Sequence, residues 1–303
     1  MANSALKGNP FFNGQAAAQG YGQAGAPQQA YGQPYAQQGF PQQAYGQQAG
    51  VPQAPYGQQP LPTPDQMNAQ FQAPAASRDQ MDRMSYEDVI AKTAGLFAVL
   101  LIAAAAAWFF PILMLPGALG ALALGLVLAF KKTPAPGLTF AFAAAEGLMV
   151  GGFSGILEAQ FAGIVMQAAL ATFAVIGVTL LLFMNGKVRT SPKMNKFVMI
   201  SLFGMLGFSL LNFVLMLTPM GQEMGMFGMR SVEIGGIPIG LVIGVFAVFL
   251  GTYMLVSDFE FVQRGVQTGA PRSYGWIAGY AIVSTVVYIY IEILRLIAIF
   301  RNN

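Results

Sequence analysis

The chain contains no cysteine and no histidine, and only 9% of its 303 residues are charged. These absences exclude disulfides, thiolate or imidazole metal sites, cysteine nucleophiles and Ser-His-Asp triads. An ordinary soluble domain is about 25% charged, so this chain has too few charged side chains to cover a water-facing surface. The composition therefore predicts an integral membrane protein whose main surroundings are the lipid bilayer. The 15 Lys and Arg against 12 Asp and Glu leave a net charge of +3, which does not indicate nucleic-acid binding.

Residues 1–84 have a composition of their own, rich in Gln, Ala, Gly, Pro and Tyr, with a recurring Tyr-Gly-Gln triplet. Proline and glycine interrupt helices and strands, and there are few aliphatic side chains whose burial would offset the entropy cost of ordering. We predict a disordered tail over 1–84 and a membrane domain over 85–303. The tail is either a plain solvated segment or a segment that self-associates or binds a partner through its Tyr and Gln side chains.

Apolar segments of membrane-spanning length follow Ser85, which with Glu87 and Asp88 has the pattern of a helix start. They predict an all-α bundle of seven transmembrane helices. Six spans is the alternative, because Pro116-Gly117 shortens the second segment. The seven segments are Val89–Phe110, Ile112–Phe130, Leu138–Ile156, Phe161–Phe183, Phe197–Leu217, Ile237–Val256 and Tyr274–Phe300.

Lysine and arginine are concentrated in alternate loops, and the positive-inside rule then predicts a cytoplasmic N-terminus and an extracellular C-terminus. This alternation holds for seven spans and would break for six. The residues on the predicted cytoplasmic side are Lys7, Arg78, Arg83, Lys131, Lys132, Lys187, Arg189, Lys193, Lys196, Arg264 and Arg272; the other side holds Arg230 and Arg301.

Small and polar residues inside the spans predict close helix packing. Gly147, Gly151 and Gly155 repeat at four-residue spacing in the third span, a pattern that lets helix backbones approach closely in lipid. Asn212 in the fifth span is either a pore-lining group or a hydrogen-bonding group between elements, and we favour the second interpretation.

Four carboxyl groups are the candidate functional residues. Glu146 lies in the middle of the third span, Glu292 lies within the seventh, and Asp258 and Glu260 follow the end of the sixth. Ionisable groups inside a membrane are costly and usually functional. Each also has a structural interpretation. Glu292 has Arg295 one turn away for a salt bridge, Glu146 can hydrogen-bond across helices, and the other two can be solvated.

Two such carboxyl groups brought together share a proton and titrate as a pair. Facing a water-filled cavity in the ionised form, the pair would also suit a hard cation such as calcium. The chain has no phosphate-binding P-loop and no dinucleotide-binding glycine motif. We therefore predict neither an enzyme nor a cofactor site.

The order of these motifs resembles the Bax inhibitor-1 (TMBIM) family, and most closely a bacterial branch of the actinobacterial type. The resemblance covers 85–303 and leaves the tail outside it, although a short motif near the start also resembles that branch. The motifs are Glu146-Gly147, Leu255-Val256-Ser257-Asp258-Phe259-Glu260, the run from Tyr288 through Glu292 and Arg295 to Leu296, and Asn9-Pro10-Phe11-Phe12.

The resemblance implies a bundle with a central last helix, located in the bacterial plasma membrane and conducting a pH-sensitive calcium leak. In the better-understood members of the family, two aspartates on the last two helices share a proton and control the pore. Asp258 matches the first and Glu292 the second, as Glu rather than Asp. The resemblance makes these two the expected proton-sensing residues and calcium ligands, with Glu146, Glu260 and Arg295 in supporting roles.

We therefore expect a cation leak and keep one alternative of a different kind. The first hypothesis is a calcium-conducting pathway controlled by protonation of the Asp258–Glu292 pair. The alternative is an adaptor without transport, which uses the tail to modulate another membrane protein such as a membrane-anchored AAA protease. A proton-coupled transporter would use the same acids, whereas an intramembrane hydrolase lacks a nucleophile–base pair in this sequence.

Overall fold

The computed structural model describes residues 82–131 and 133–302. Seven of its helices are long and apolar enough to cross a membrane, which confirms the predicted all-α, multi-pass class. The predicted tail falls almost wholly outside the described residues. The spans are α1 (Tyr86–Phe109), α2 (Met114–Phe130, preceded by the 3-10 turn Pro111–Leu113), α3 (Pro136–Gln160), α4 (Ile164–Met184), α5 (Pro192–Met216), α6 (Ile239–Gln267) and α7 (Gly275–Asn302).

Local sequence signals set the ends of several helices. The Ser85 side chain accepts a hydrogen bond from the Asp88 backbone N–H at 3.2 Å, as the helix-start pattern predicts. Ser191 caps α5 in the same way, and Pro192 occupies the first turn, where no backbone donor is needed. The chain leaves α1 at Phe110, because the residue before a proline disfavours helical geometry.

The sixth helix is longer than predicted. It continues to Gln267 rather than ending near Val256, so Asp258 and Glu260 lie inside the helix and not beyond it. The extra turns form because they still have an apolar face, on which Phe261 and Val262 pack against Met84. Both acids are therefore helical residues and do not lie in a loop after the sixth helix.

The last helix is central, as the resemblance implies. It packs against α1, α3, α4 and α6. The tightest approach elsewhere is between α1 and α3. A side chain at Gly147 or Gly151 would collide with the backbone carbonyl of Leu100 or Ala104 on α1. The small residues of α3 therefore serve close backbone packing, as the sequence indicates.

The fifth span is peripheral. Val198 is the single buried residue among its 25 residues, and its other apolar side chains are available to lipid. The segment 217–238, which joins α5 to α6, contains the short helix Pro219–Glu223 and the 3-10 turn Gly228–Ser231. It ends in a hairpin of β1 (Glu233–Ile234) and β2 (Ile237–Pro238). Gly235 and Gly236 form the hairpin turn, both with positive φ, which glycine adopts without a steric cost.

The basic loops lie together at one end of the bundle, which we call the basic end: the end at which α1, α3, α5 and α7 begin. Residues 82–84 are attached there, since the Met84 N–H donates to the Ala270 carbonyl at 2.7 Å and the Arg272 N–H to the Asp82 carbonyl at 2.8 Å. Asp88 also forms ion pairs with Lys92 and Arg272. Residues just before the predicted boundary at 85 are thus hydrogen-bonded to the membrane domain.

Candidate functional site

Glu292 is held between two arginines. Glu292 is buried, with 5% of its surface exposed to solvent. Its Oε1 accepts a hydrogen bond from Arg295 Nη1 at 2.7 Å, and its Oε2 accepts one from Arg230 Nη1 at 3.0 Å. The contact with Arg295, one turn along α7, is the salt bridge that the sequence spacing predicts. The contact with Arg230 is new, and it brings a loop residue into the bundle.

Arg230 is 3% exposed although it comes from the segment between α5 and α6. Asn212 of α5 holds that segment, because its side chain accepts from the Met229 N–H at 2.7 Å and donates to the Phe227 carbonyl at 3.2 Å. Asn212 is therefore a hydrogen-bonding group between elements, as favoured from the sequence. The Arg230 guanidinium also stands 5.7 Å from the centre of the Phe208 ring.

Arg230 is the residue that sequence reasoning missed. From the sequence, Arg230 is only a charged loop residue on the side of the membrane that has few basic residues. Its partner Glu292 is 62 positions away, so no local spacing indicates the contact. The nearest signal is its position in a glycine-rich segment that follows a polar Asn in a span, which is compatible with a loop folding back onto the bundle.

Asp258 has a different partner. Its Oδ2 accepts a hydrogen bond from the Thr285 hydroxyl of α7 at 2.6 Å. The carboxyl group is partly buried and lines a cavity of about 110 Å³ between α5, α6 and α7. Tyr253 and Ser284 contribute hydroxyl groups to the same cavity. The site is polar and lies near the middle of the bundle.

The expected direct contact between Asp258 and Glu292 is not formed in this structure. Each carboxyl group has its own partners, Thr285 for the first and the two arginines for the second. Thr285 and Glu292 are seven residues apart on α7, about 10 Å along the helix axis at 1.5 Å per residue. The two acids thus lie at different depths, and the shared-proton geometry expected from the resemblance is corrected to two separate sites.

Glu146 faces the same cavity as Glu292. This second cavity measures about 350 Å³ and is lined by α2, α3, α5, α6 and α7. Glu146 is 6% exposed, and its Oε2 has no hydrogen-bond partner among the described residues. The Tyr288 hydroxyl, on the wall of the same cavity, also has none there. The wall of this cavity therefore contains two polar groups that have no hydrogen-bond partner in the described part of the chain.

The two cavities are neighbours. They share four lining residues, so a continuous wall runs from Asp258 to Glu292 along one side of α7. The shared residues are Leu202, Met254, Tyr280 and Ser284. The arrangement places three carboxyl groups along one side of the central helix, at two depths in the membrane-spanning bundle.

Glu260 lies apart from these cavities, at the basic end. It accepts hydrogen bonds from the Thr190 backbone N–H at 2.7 Å and from the Thr190 hydroxyl, and it pairs with Arg264 at 3.1 Å. It therefore attaches the loop after α4 to α6 rather than being freely solvated. Over 82–131 and 133–302, no cluster of three or more acidic side chains is arranged to hold a metal ion. The calcium site expected from Asp258 and Glu292 together is not assembled in this conformation.

The family model described as Bax inhibitor 1 like matches residues 9–302. The chain belongs to the Bax inhibitor-1-like family. No curated protein and no solved structure matches the chain.

The family match of this Bax inhibitor-1-like protein begins within the tail. Residue 9 is the first residue of Asn9-Pro10-Phe11-Phe12, the motif that resembles the bacterial branch. The resemblance seen in the other motifs covers 85–303 and leaves the tail outside it. The match corrects that boundary, because it extends across most of the low-complexity segment.

Proposed function

We propose that this Bax inhibitor-1-like protein is a pH-sensitive pathway for small cations, with calcium the expected ion, and not an enzyme. The observation that carries the proposal is the pair of neighbouring cavities along α7, whose walls hold Asp258, Glu146 and Glu292. Carboxyl groups inside a membrane-spanning bundle are costly to bury, and they commonly mark ion pathways. Oxygen ligands are also the ligands that calcium prefers.

In this pathway a cation passes Asp258 nearer the basic end and Glu292 nearer the opposite end. Glu146 lies in the wall of the larger cavity, with one oxygen free of protein hydrogen bonds. Hydroxyl groups of Tyr280 and Ser284, which line both cavities, are available as further oxygen ligands. The pathway therefore has oxygen atoms at each depth where carboxyl groups lie.

The described conformation is closed at Glu292. Arg230 and Arg295 occupy both carboxylate oxygens, so a passing cation would meet two fixed positive charges and no free ligand. Arg295 belongs to α7 itself, whereas Arg230 belongs to the segment between α5 and α6. Opening therefore requires the withdrawal of Arg230, and the segment that carries it acts as the gate.

Protons compete with cations at the same oxygens. A protonated carboxyl group has lost the negative charge that attracts a cation, so acidification reduces flux through the pathway. Asp258 is the proposed proton-sensing residue, because its hydrogen bond is to the Thr285 hydroxyl rather than to a basic side chain and because it lines a cavity. In this proposal Asp258 senses protons and Glu292 belongs to the closed ion-pair cluster, so the two acids do not act as a pair that shares one proton.

The orientation is part of the proposal. The basic end faces the cytoplasm of a bacterial cell, because Lys and Arg in short loops favour the cytoplasmic side of the plasma membrane. The segment that carries Arg230 then faces outward, and the tail and Asp258 are nearer the cytoplasm. Labelling of single introduced cysteines in intact cells tests this directly, since the chain has none of its own.

Flux through the purified protein in liposomes tests the function. The wild-type protein should release trapped calcium faster at about pH 8 than at about pH 6, and Asp258→Asn should remove most of that difference. Glu146→Gln should lower flux without loss of folding, because it keeps the size of the side chain. Glu223→Gln is the control, since Glu223 is exposed and lies outside both cavities. A wild-type flux no greater than that of empty liposomes would refute the pathway.

An adaptor role is the second candidate, and one observation favours it. The family match includes most of the tail, from residue 9, so that segment belongs to the pattern that defines the family. Deletion of 1–80 separates the two candidates. An adaptor should lose a crosslinked membrane-protein partner, such as a membrane-anchored protease, while a transport pathway located in the helices should keep its flux.

A further inference from the structure

A third cavity adjoins the pathway, and Ser209 lines both. It measures about 440 Å³ and is lined by α3, α5, α7 and the segment that carries Arg230. Two arginines, Arg230 and Arg295, lie in its wall with Asn212 and Ser209, and no carboxyl group lines it. The rest of the wall is apolar, and includes Phe213 of α5. The Glu292 carboxylate that pairs with both arginines lines the neighbouring cavity and not this one.

The charges around Glu292 do not balance. Arg230 and Arg295 both pair with this single carboxylate, so the three side chains together carry one excess positive charge. A buried charge without a counter-charge is costly in a medium of low dielectric. Arg230 also has a buried nitrogen, Nη2, without a hydrogen-bond partner among the described residues. The cluster is therefore short of one negative charge and at least one acceptor.

We infer that this cavity binds a phosphate-class anion, either inorganic phosphate or the phosphate of a lipid headgroup. The guanidinium group is the side chain best suited to phosphate, because its planar set of donors matches two phosphate oxygens. Arg295 is the more accessible of the two arginines, since its side chain is 22% exposed whereas that of Arg230 is 4% exposed. The anion supplies the missing negative charge and the acceptor that Arg230 Nη2 lacks.

Both sources of phosphate fit the cavity walls. The polar side chains of Asn212 and Ser209 suit a small hydrated anion. The apolar residues Phe213 and Leu217 line the same cavity and have exposed side chains, so a lipid with its headgroup at Arg295 could extend its chains along α5. This inference does not depend on cation transport, because it concerns binding alone.

Thermal unfolding of the full-length protein provides the test, with two probes measured separately. The first is inorganic phosphate, added to protein in a neutral detergent against chloride at equal ionic strength. The second is phosphatidylglycerol, compared with phosphatidylcholine alone in nanodiscs. A ligand that binds the folded state raises the unfolding temperature in proportion to the logarithm of its concentration above Kd. Stabilisation by phosphate in detergent identifies the free anion, and stabilisation by phosphatidylglycerol alone identifies the lipid.

Arg295→Gln should weaken binding of the effective probe at least about tenfold, because it removes a charge-assisted contact. This variant still leaves Glu292 paired with Arg230, so the cluster becomes neutral and the protein should fold. Arg295→Lys, which keeps the charge but not the planar fork, should bind with intermediate affinity. Arg301→Gln is the matched control, since Arg301 is on the same helix and outside the cavity. The inference is overturned if neither probe stabilises the wild-type protein, or if Arg295→Gln and Arg301→Gln respond alike.

Discussion

The cluster at Glu292 predicts unequal costs for removing its three members. Glu292 pairs with both arginines, whereas each arginine pairs with Glu292 alone within the cluster. Glu292→Gln therefore leaves two guanidinium groups side by side without an anion. Arg230→Gln or Arg295→Gln leaves one balanced ion pair. The carboxylate should thus be the most costly member to replace.

The expected magnitudes follow from this difference. Removing one partner of a buried ion pair costs about 3–5 kcal/mol when it leaves the other charge uncompensated. Glu292→Gln belongs to this class. Loss of one charge-assisted hydrogen bond costs about 1.5–3 kcal/mol, and removing the excess positive charge offsets part of that for either arginine. We therefore expect about 4 kcal/mol for Glu292→Gln and about 1 kcal/mol for Arg230→Gln.

A double-mutant cycle measures the coupling. Equilibrium unfolding in mixed micelles, followed by the fluorescence of Trp108 and Trp276, provides the free energy of each variant. The double variant with both Glu292→Gln and Arg230→Gln should be more stable than Glu292→Gln alone, because it removes one of the two unpaired cations. The reasoning fails if Glu292→Gln costs no more than Arg230→Gln, or if the second substitution makes the first one worse.

Two further predictions concern packing and the Asp258 site. Gly151→Ala should destabilise the protein by about 1–3 kcal/mol, since the new methyl group collides with the Ala104 backbone. The control is Gly177→Ala, in open space within α4, which should be neutral or slightly stabilising. Equal effects of the two substitutions on the free energy of unfolding would contradict the packing argument. Thr285→Val should cost about 1–3 kcal/mol of stability, because it leaves the Asp258 carboxylate without its hydrogen-bond donor, while Thr285→Ser should keep most of the stability. Chemical unfolding compares the two variants with the wild-type protein, and equal stabilities would exclude a contribution from this hydrogen bond.

The sequence alone was sufficient for the seven spans, because each has enough apolar length to cross a bilayer and a helix satisfies its own backbone hydrogen bonds there. It was also sufficient for features that depend on neighbours along the chain. The Ser85 cap, the close approach at Gly151 and the Glu292–Arg295 pair all follow from spacings of three or four residues.

Only the tertiary structure decided which acids meet which partners. Spans that face lipid are apolar on most sides, so hydrophobicity does not show which face of a helix turns inward. The separate sites of Asp258 and Glu292 and the insertion of Arg230 depend on contacts between residues 27 and 62 positions apart. Such contacts arise when helices and loops settle against each other in three dimensions, and no local pattern in the chain encodes them.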